Sequence, residues 1–131
     1  MLRIPSPLPE SLEKIIHDTI GCCIEVHRVL GPGLLESVYS KAVAIELKLA
    51  GIAFERERRF PVFYRAELLC EQVLDFVVES EVILELKSVD LLADVHHKQL
   101  LHYMKLAQLR AGLLVNFNVS VLRNGINRKV L

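Results

Sequence analysis

Between Asp75 and Lys87 the chain reads DFVVESEVILELK, two apolar runs joined by a short acidic link. Three charged side chains, Asp75, Glu85 and Lys87, interrupt runs whose other members belong in a core. Burying an unpaired carboxylate or ammonium costs several kcal/mol even after relaxation, so these residues need partners, a bound ion or an exposed strand end. Glu85 and Lys87 stand two apart, and on a strand they leave the same face about 6–7 Å from one another. The separation of Asp75 and Glu85 is even. A hairpin centred on Ser80 therefore sets them directly opposite if its loop is the three residues Glu79-Ser80-Glu81, whereas a two-residue loop turns Asp75 to the wrong face. Facing carboxylates repel and raise one another's pKa unless a cation lies between them, and ligands that are all oxygen suit Mg²⁺ or Mn²⁺. A lysine beside the ion can position a water or stabilise a phosphate, which is the logic of metal-assisted phosphodiester hydrolysis. A structural Glu85–Lys87 ion pair at a strand end satisfies the same spacing, and spacing alone leaves both readings open.

The elements that must hold these residues follow from periodicity. Pro5, Pro7 and Pro9 make residues 1–10 an arm before a single domain over 11–131. From Leu12, apolar residues at three- and four-residue steps (Ile15, Ile16, Thr19, Ile20, Cys23) predict a helix to about Leu30, stopped by Gly31-Pro32-Gly33. A second helix is expected over 34–50, with Leu35, Val38, Tyr39, Ala42, Ile45 and Leu49 on one stripe and Gly51 as its C-terminal stop. Strand segments follow at 52–60, 62–69 and 73–78, with Pro61 marking an edge or break, and at 82–89, apolar on both faces as a central strand is. Asp94 can cap a third helix to roughly Leu109, and Gly112 then releases the chain into a buried strand at 113–117. Asn124-Gly125 between 119–122 and 126–130 predicts a hairpin. The expected order is α-α-β-β-β-α-β-β, an α/β (α+β) fold with a mixed central sheet flanked by helices.

The segment Gly31-Pro32-Gly33-Leu34-Leu35-Glu36-Ser37-Val38-Tyr39 sets Gly33, Glu36 and Tyr39 in a G-x-x-E-x-x-Y pattern. It resembles the signature of the GxxExxY proteins, a bacterial group assigned to the PD-(D/E)xK nuclease superfamily. The likeness continues through Ile24-Glu25-Val26-His27, Asp75, Glu85-Leu86-Lys87-Ser88-Val89, His97 with Gln99, and Gly112-Leu113-Leu114-Val115-Asn116-Phe117, and spans about residues 12–130. The resemblance implies a restriction-endonuclease-like core and a metal held by Asp75, Glu85 and the Leu86 carbonyl. It makes Glu36 a further acidic ligand or water contact, Lys87 the catalytic lysine and Gln99 a polar helix residue at the site. Tyr103, at i+4 from Gln99, and His96, three before it, share that helix face and are accessory candidates. Other roles compete: a carboxylate in the first turn of a helix is favoured by the dipole alone, which would explain Glu36 without a metal, and Tyr39 reads as a packing residue whose hydroxyl finds a partner. Cys70 departs from the glycine common in the group near the turn before Asp75.

The 131 residues are 52% hydrophobic and carry 16 basic and 16 acidic side chains, so no global field steers the protein to nucleic acid. DNA contact must rest on local patches, Arg56, Arg58 and Arg59 or Arg123, Arg128 and Lys129. Three cysteines form no disulfide framework and suit a reducing, cytoplasmic setting. No run approaches the ~18 apolar residues of a membrane span. Cys22, Cys23, His27, His96 and His97 follow no usual zinc spacing. The leading expectation is a Mg²⁺- or Mn²⁺-dependent nuclease acting on DNA or, less favoured, RNA, with homodimerisation extending a small binding surface. Its rival is a non-catalytic nucleic-acid-binding or protein-interaction module on the same scaffold, and a weaker third reading gives the ion a purely stabilising role.

Overall fold

The computed structural model describes residues 6–131, so the first five residues of the expected arm lie outside it. The order is α1 (Glu10–Leu30), α2 (Glu36–Leu49), β1 (Phe54–Tyr64), β2 (Glu67–Val78), β3 (Val82–Lys87), α3 (Asp94–Ala107), β4 (Ala111–Asn116), a short 3₁₀ turn (Leu122–Gly125) and β5 (Ile126–Val130). The strands form one mixed sheet ordered β1-β2-β3-β4-β5, in which β3 and β4 run parallel and every other neighbouring pair antiparallel. Helix α3 is the crossover that a parallel pair needs.

Both faces of the sheet centre are covered, which is why β3 and β4 are apolar without alternation. Leu12, Val26, Tyr39 and Leu47 of α1 and α2 pack on Phe76, Leu84 and Phe117 on one side. Leu100, Tyr103 and Met104 of α3 pack on Leu74, Val77, Ile83 and Leu114 on the other. Of the residues before α1, Leu8 is buried and Arg110 donates to the Pro7 carbonyl at 3.3 Å, while Arg128 pairs with Glu13 in the first turn of α1.

Several expectations are corrected. Pro61 does not break the chain: β1 runs through it, because an edge strand tolerates the missing N–H, and the turn falls at Arg65 and Ala66, both at positive φ. Segments 62–69 and 73–78 are thus not separate strands. Of the expected α2 stripe Tyr39 does face the core, where Val43 and Leu47 join it, but Leu35, Val38, Ile45 and Leu49 are exposed. Asp94 is the first residue of α3 rather than its cap, and the helix ends on Gln108 in a left-handed conformation. Gly112 lies inside β4, where an added Cβ would stand 2.8 Å from Met104 Sδ. Asn124-Gly125 makes no hairpin: residues 119–122 form no strand, and β5 returns against β4. Gly125 is there for space, since a Cβ would meet the Asn116 carbonyl oxygen at 2.1 Å.

Candidate metal centre

The three-residue loop is present. Phe76 pairs with Leu84, Val77 with Ile83 and Val78 with Val82, so Asp75 falls opposite Glu85 in register. The backbone ladder stops there and the two carboxylates replace it. Asp75 N–H donates to Glu85 Oε1 at 3.0 Å, and Leu86 N–H donates to Asp75 Oδ2 at 2.9 Å. In a strand, the N–H and C=O of one residue point to the same side, so the Leu86 carbonyl opens toward β2 as well. Ile83 faces α3 while Val82, Leu84 and Leu86 face α1 and α2, which puts Glu85 and Lys87 on the α3 side. Across from Asp75, β1 is irregular: Glu57 has φ 54° and drops out of the register between Arg56 and Arg58.

Glu36 comes from another layer. Ser88, directly after Lys87, donates its hydroxyl to the Leu34 carbonyl at 2.6 Å and so fastens the turn before α2 to the end of β3. Tyr39 braces that turn from inside: its hydroxyl donates to the Gly31 carbonyl at 2.6 Å and accepts Leu34 N–H at 3.1 Å, while its ring stacks on Phe117 at 4.5 Å. Gly31 and Gly33 occupy positive φ, the conformations that the turn requires. The glycines, Glu36 and Tyr39 therefore form one mechanical unit.

The electrostatics show what these carboxylates do to one another. Glu85, 6% exposed, is pushed up to about 8 first by burial and then by Asp75, against the Asp75 N–H and Lys87. Burial likewise raises Asp75, opposed by the Leu86 N–H and by Lys87. Glu36 is raised by partial burial of its carboxyl and then by Asp75, with Lys87 acting the other way. The residue as a whole stays exposed, but the shielding of the carboxyl itself governs ionisation. Tyr103 belongs to the same field: burial raises its hydroxyl, and Glu85 and Asp75 add to that.

Not every candidate is brought in equally. Tyr103 is buried and donates to Gln72 Oε1 at 3.2 Å, tying α3 to β2. Gln99, one turn earlier, is exposed, and its side chain makes no hydrogen bond to another described residue. His96 Nδ1 accepts Ala93 N–H at 3.0 Å, which makes it a cap for α3. Gln72 and Asn116 escaped the sequence reading. Asn116 is buried and holds Val89 from both sides, N–H to Oδ1 at 3.1 Å and Nδ2 to the carbonyl at 2.9 Å, fixing the chain after Lys87. A lone amide in the apolar run 111–117 was the signal available. Cys22 and Cys23 are buried free thiols. A cavity of about 400 Å³ lined by His17, Asp18, Cys22 and Glu46 shares no residue with this centre.

A family model for the PD-(D/E)XK nuclease superfamily matches residues 13–129. The chain belongs to the PD-(D/E)XK nuclease superfamily. No curated protein and no solved structure shows significant similarity to it. The five-stranded mixed sheet with helices on both faces is the restriction-endonuclease-like fold of that superfamily, whose members generally use divalent metals and act on nucleic acid. No helix among the described residues is long and apolar enough to cross a membrane.

The donor chemistry of this PD-(D/E)XK chain fits such an ion. A buried Glu85 and a half-buried Asp75 face each other, each commits one oxygen to a backbone N–H, and both pKa values are raised first by burial of the carboxyl, with Asp75 adding to the rise at Glu85, a cost that a cation would relieve. Among the described residues, no three His, Cys, Asp or Glu side chains stand close enough together to hold one ion. The protein thus offers two carboxylates and leaves other positions open, which suits a hard ion that retains several waters.

Proposed function

We propose that this domain is a divalent-metal-dependent nuclease that hydrolyses phosphodiester bonds in DNA, with RNA the less favoured substrate, and that it falls in the GxxExxY group of its superfamily. The observation that carries the reading is the opposed pair of half-buried Asp75 and buried Glu85 at the break in the β2–β3 ladder, with Lys87 two residues on and on the same face. Mg²⁺ or Mn²⁺ suits oxygen donors, and when bound it supplies polarisation of the phosphoryl oxygen and a more acidic water.

The remaining work falls to the chain. The backbone N–H groups of Asp75 and Leu86 fix the two carboxylates before any ligand arrives, leaving Glu85 Oε2 and Asp75 Oδ1 for the ion beside the Leu86 carbonyl. Lys87 puts positive charge where the phosphate gains negative charge as the P–O bond breaks. Glu36, its pKa raised by burial of the carboxyl and then by Asp75, acts through water rather than by direct contact, accepting a hydrogen bond that orients it. Gln99 reaches the substrate phosphate from α3, and Tyr103 and His96 support it by holding that helix in place. The buried free thiols suit a cytoplasmic setting.

The test is Mn²⁺ titration calorimetry followed by incubation with plasmid and single-stranded DNA, using wild type, Asp75→Ala, Glu85→Gln and Lys87→Ala. Asp75→Ala should lose ion binding and cleavage together, Glu85→Gln should lose cleavage, and Lys87→Ala should keep the ion and lose cleavage. Undiminished nicking by both Glu85→Gln and Lys87→Ala would refute the assignment. A wild type that binds Mn²⁺ but cuts neither DNA supports a non-catalytic nucleic-acid-binding or protein-interaction module, the reading favoured by the open ligand set and the balanced charge.

A further inference from the structure

Helix α2 carries two apolar stripes, and the fold uses one. Tyr39, Val43 and Leu47 are fully buried against the sheet. Val38, Ala42, Ile45 and Leu49 recur at steps of four, three and four on the outer side, and Leu35 at the N-cap continues the series. That is the spacing by which one helix packs along another. Ile45 is 59% and Leu49 76% exposed, and Leu35 is 74% exposed. Beside the stripe, Val29 and Leu30 of α1 are exposed as well, and a groove of about 190 Å³ between the helices is walled by these residues with Ala42 and Ile45. At such exposures the aliphatic surface of the patch is on the order of 600 Å², at the upper end of what a monomer leaves open in one place and most of the ~800 Å² per partner of a stable complex.

We propose that this face is the twofold interface of a homodimer, with α2 of one copy lying parallel to α2 of the other. The occupant must be a helix because the seam has helical period, and the flanking charges select a second copy. With Val38 and Ile45 at one core position of the repeat and Leu35, Ala42 and Leu49 at the other, Lys41 and Glu46 take the two flanking positions. In a parallel pair, Lys41 of one copy faces Glu46 of the other, once on each side of the twofold axis. An antiparallel pair would bring the flanking residues Lys41 and Lys48 together across the seam. Small Ala42 at the middle lets the two helices approach closely. The inference does not depend on the nuclease reading, because it uses no residue of the proposed centre.

Sedimentation equilibrium of the full chain across the micromolar range tests it. Wild type should be dimeric. Ile45→Asp and, separately, Leu49→Asp should be monomeric with unchanged far-ultraviolet circular dichroism; both side chains are exposed, so neither substitution disturbs the core. Lys41→Glu and Glu46→Lys should each weaken association at least roughly tenfold, and the double exchange should restore it. A monomeric wild type at high micromolar concentration, or a dimer unaffected by either aspartate, overturns the interface. Tighter association of Lys41→Glu alone overturns the parallel arrangement, since it is what relief of facing lysines gives.

Discussion

Glu85→Gln should make the metal-free protein more stable, and the gain should grow with pH. The folded carboxyl holds its proton up to about 8, while an unfolded glutamate releases it near ~4.3. Between those values the folded state binds a proton that the unfolded state does not, so the native glutamate lowers stability progressively as pH rises. Glutamine is neutral in both states, and its amide oxygen can still accept the Asp75 N–H. At about 1.4 kcal/mol per pH unit the full difference approaches ~4 kcal/mol at pH 7. Because Asp75 shares the proton and the site relaxes, about 2–3 kcal/mol is the working figure at pH 7 and about 1 at pH 5.5. Urea unfolding with a chelator present at these two pH values measures it. Added Mg²⁺ should then stabilise wild type and leave Glu85→Gln unmoved. A variant less stable than wild type at pH 7, or a difference independent of pH, would refute the claim that uncompensated carboxylate burial dominates this site.

Tyr39→Phe keeps the stacking on Phe117 but strands the Gly31 carbonyl and the Leu34 N–H; it should cost about 1–3 kcal/mol in chemical denaturation. Gly125→Ala should be far more damaging than Gly112→Ala, because its Cβ meets a backbone carbonyl at 2.1 Å whereas that of Gly112 meets the flexible Met104 and Leu100 side chains; comparative melting temperatures decide it. Arg128 holds the Glu13 carboxyl down at about 2, below its unfolded value of ~4.3. The pair's contribution is therefore present above ~4.3 and disappears as pH falls through 2, and as an exposed pair it should amount to less than about 1 kcal/mol. Arg128→Ala should remove that acid-sensitive portion alone in a pH series of thermal melts.

The opposition of Asp75 and Glu85 was legible because a strand has period two and the acidic link admits one loop length that puts both carboxylates on one face. The turn before Glu36 was legible for a similar reason, since glycines at positive φ leave a direct mark on sequence. Helix α2 was not: with apolar stripes on two sides, periodicity cannot say which one the sheet will take, and only packing of Tyr39 on Phe117 decides. Gly112 and Gly125 misled because glycine serves close approach as readily as turning, and close approach involves residues distant in sequence. Pro61 was legible as the mark of an edge strand or a break, and only the sheet order decides for the edge, because its cost depends on whether a neighbour strand needs its N–H. That Asp75 and Glu85 would end the backbone ladder and stand in for it could not be read from either strand alone.

The uneven pairing of β2 has a consequence for motion. It is joined to β1 along nearly its whole length but to β3 only over Phe76–Val78, so the far part of the hairpin, where Phe63, Tyr64, Leu68 and Leu69 are exposed, continues beyond the sheet as a two-stranded ribbon. Such ribbons are marginal by themselves. Its amides should exchange with deuterium through local opening, well before those of β3 and β4, which open only with the whole domain. Asp75 sits at the fork where the ribbon leaves the sheet, three residues after Gln72, the partner of Tyr103. The proposed metal centre is thereby divided between the strand expected to exchange slowest, which carries Glu85 and Lys87, and the root of the ribbon expected to open first, which carries the opposing carboxylate.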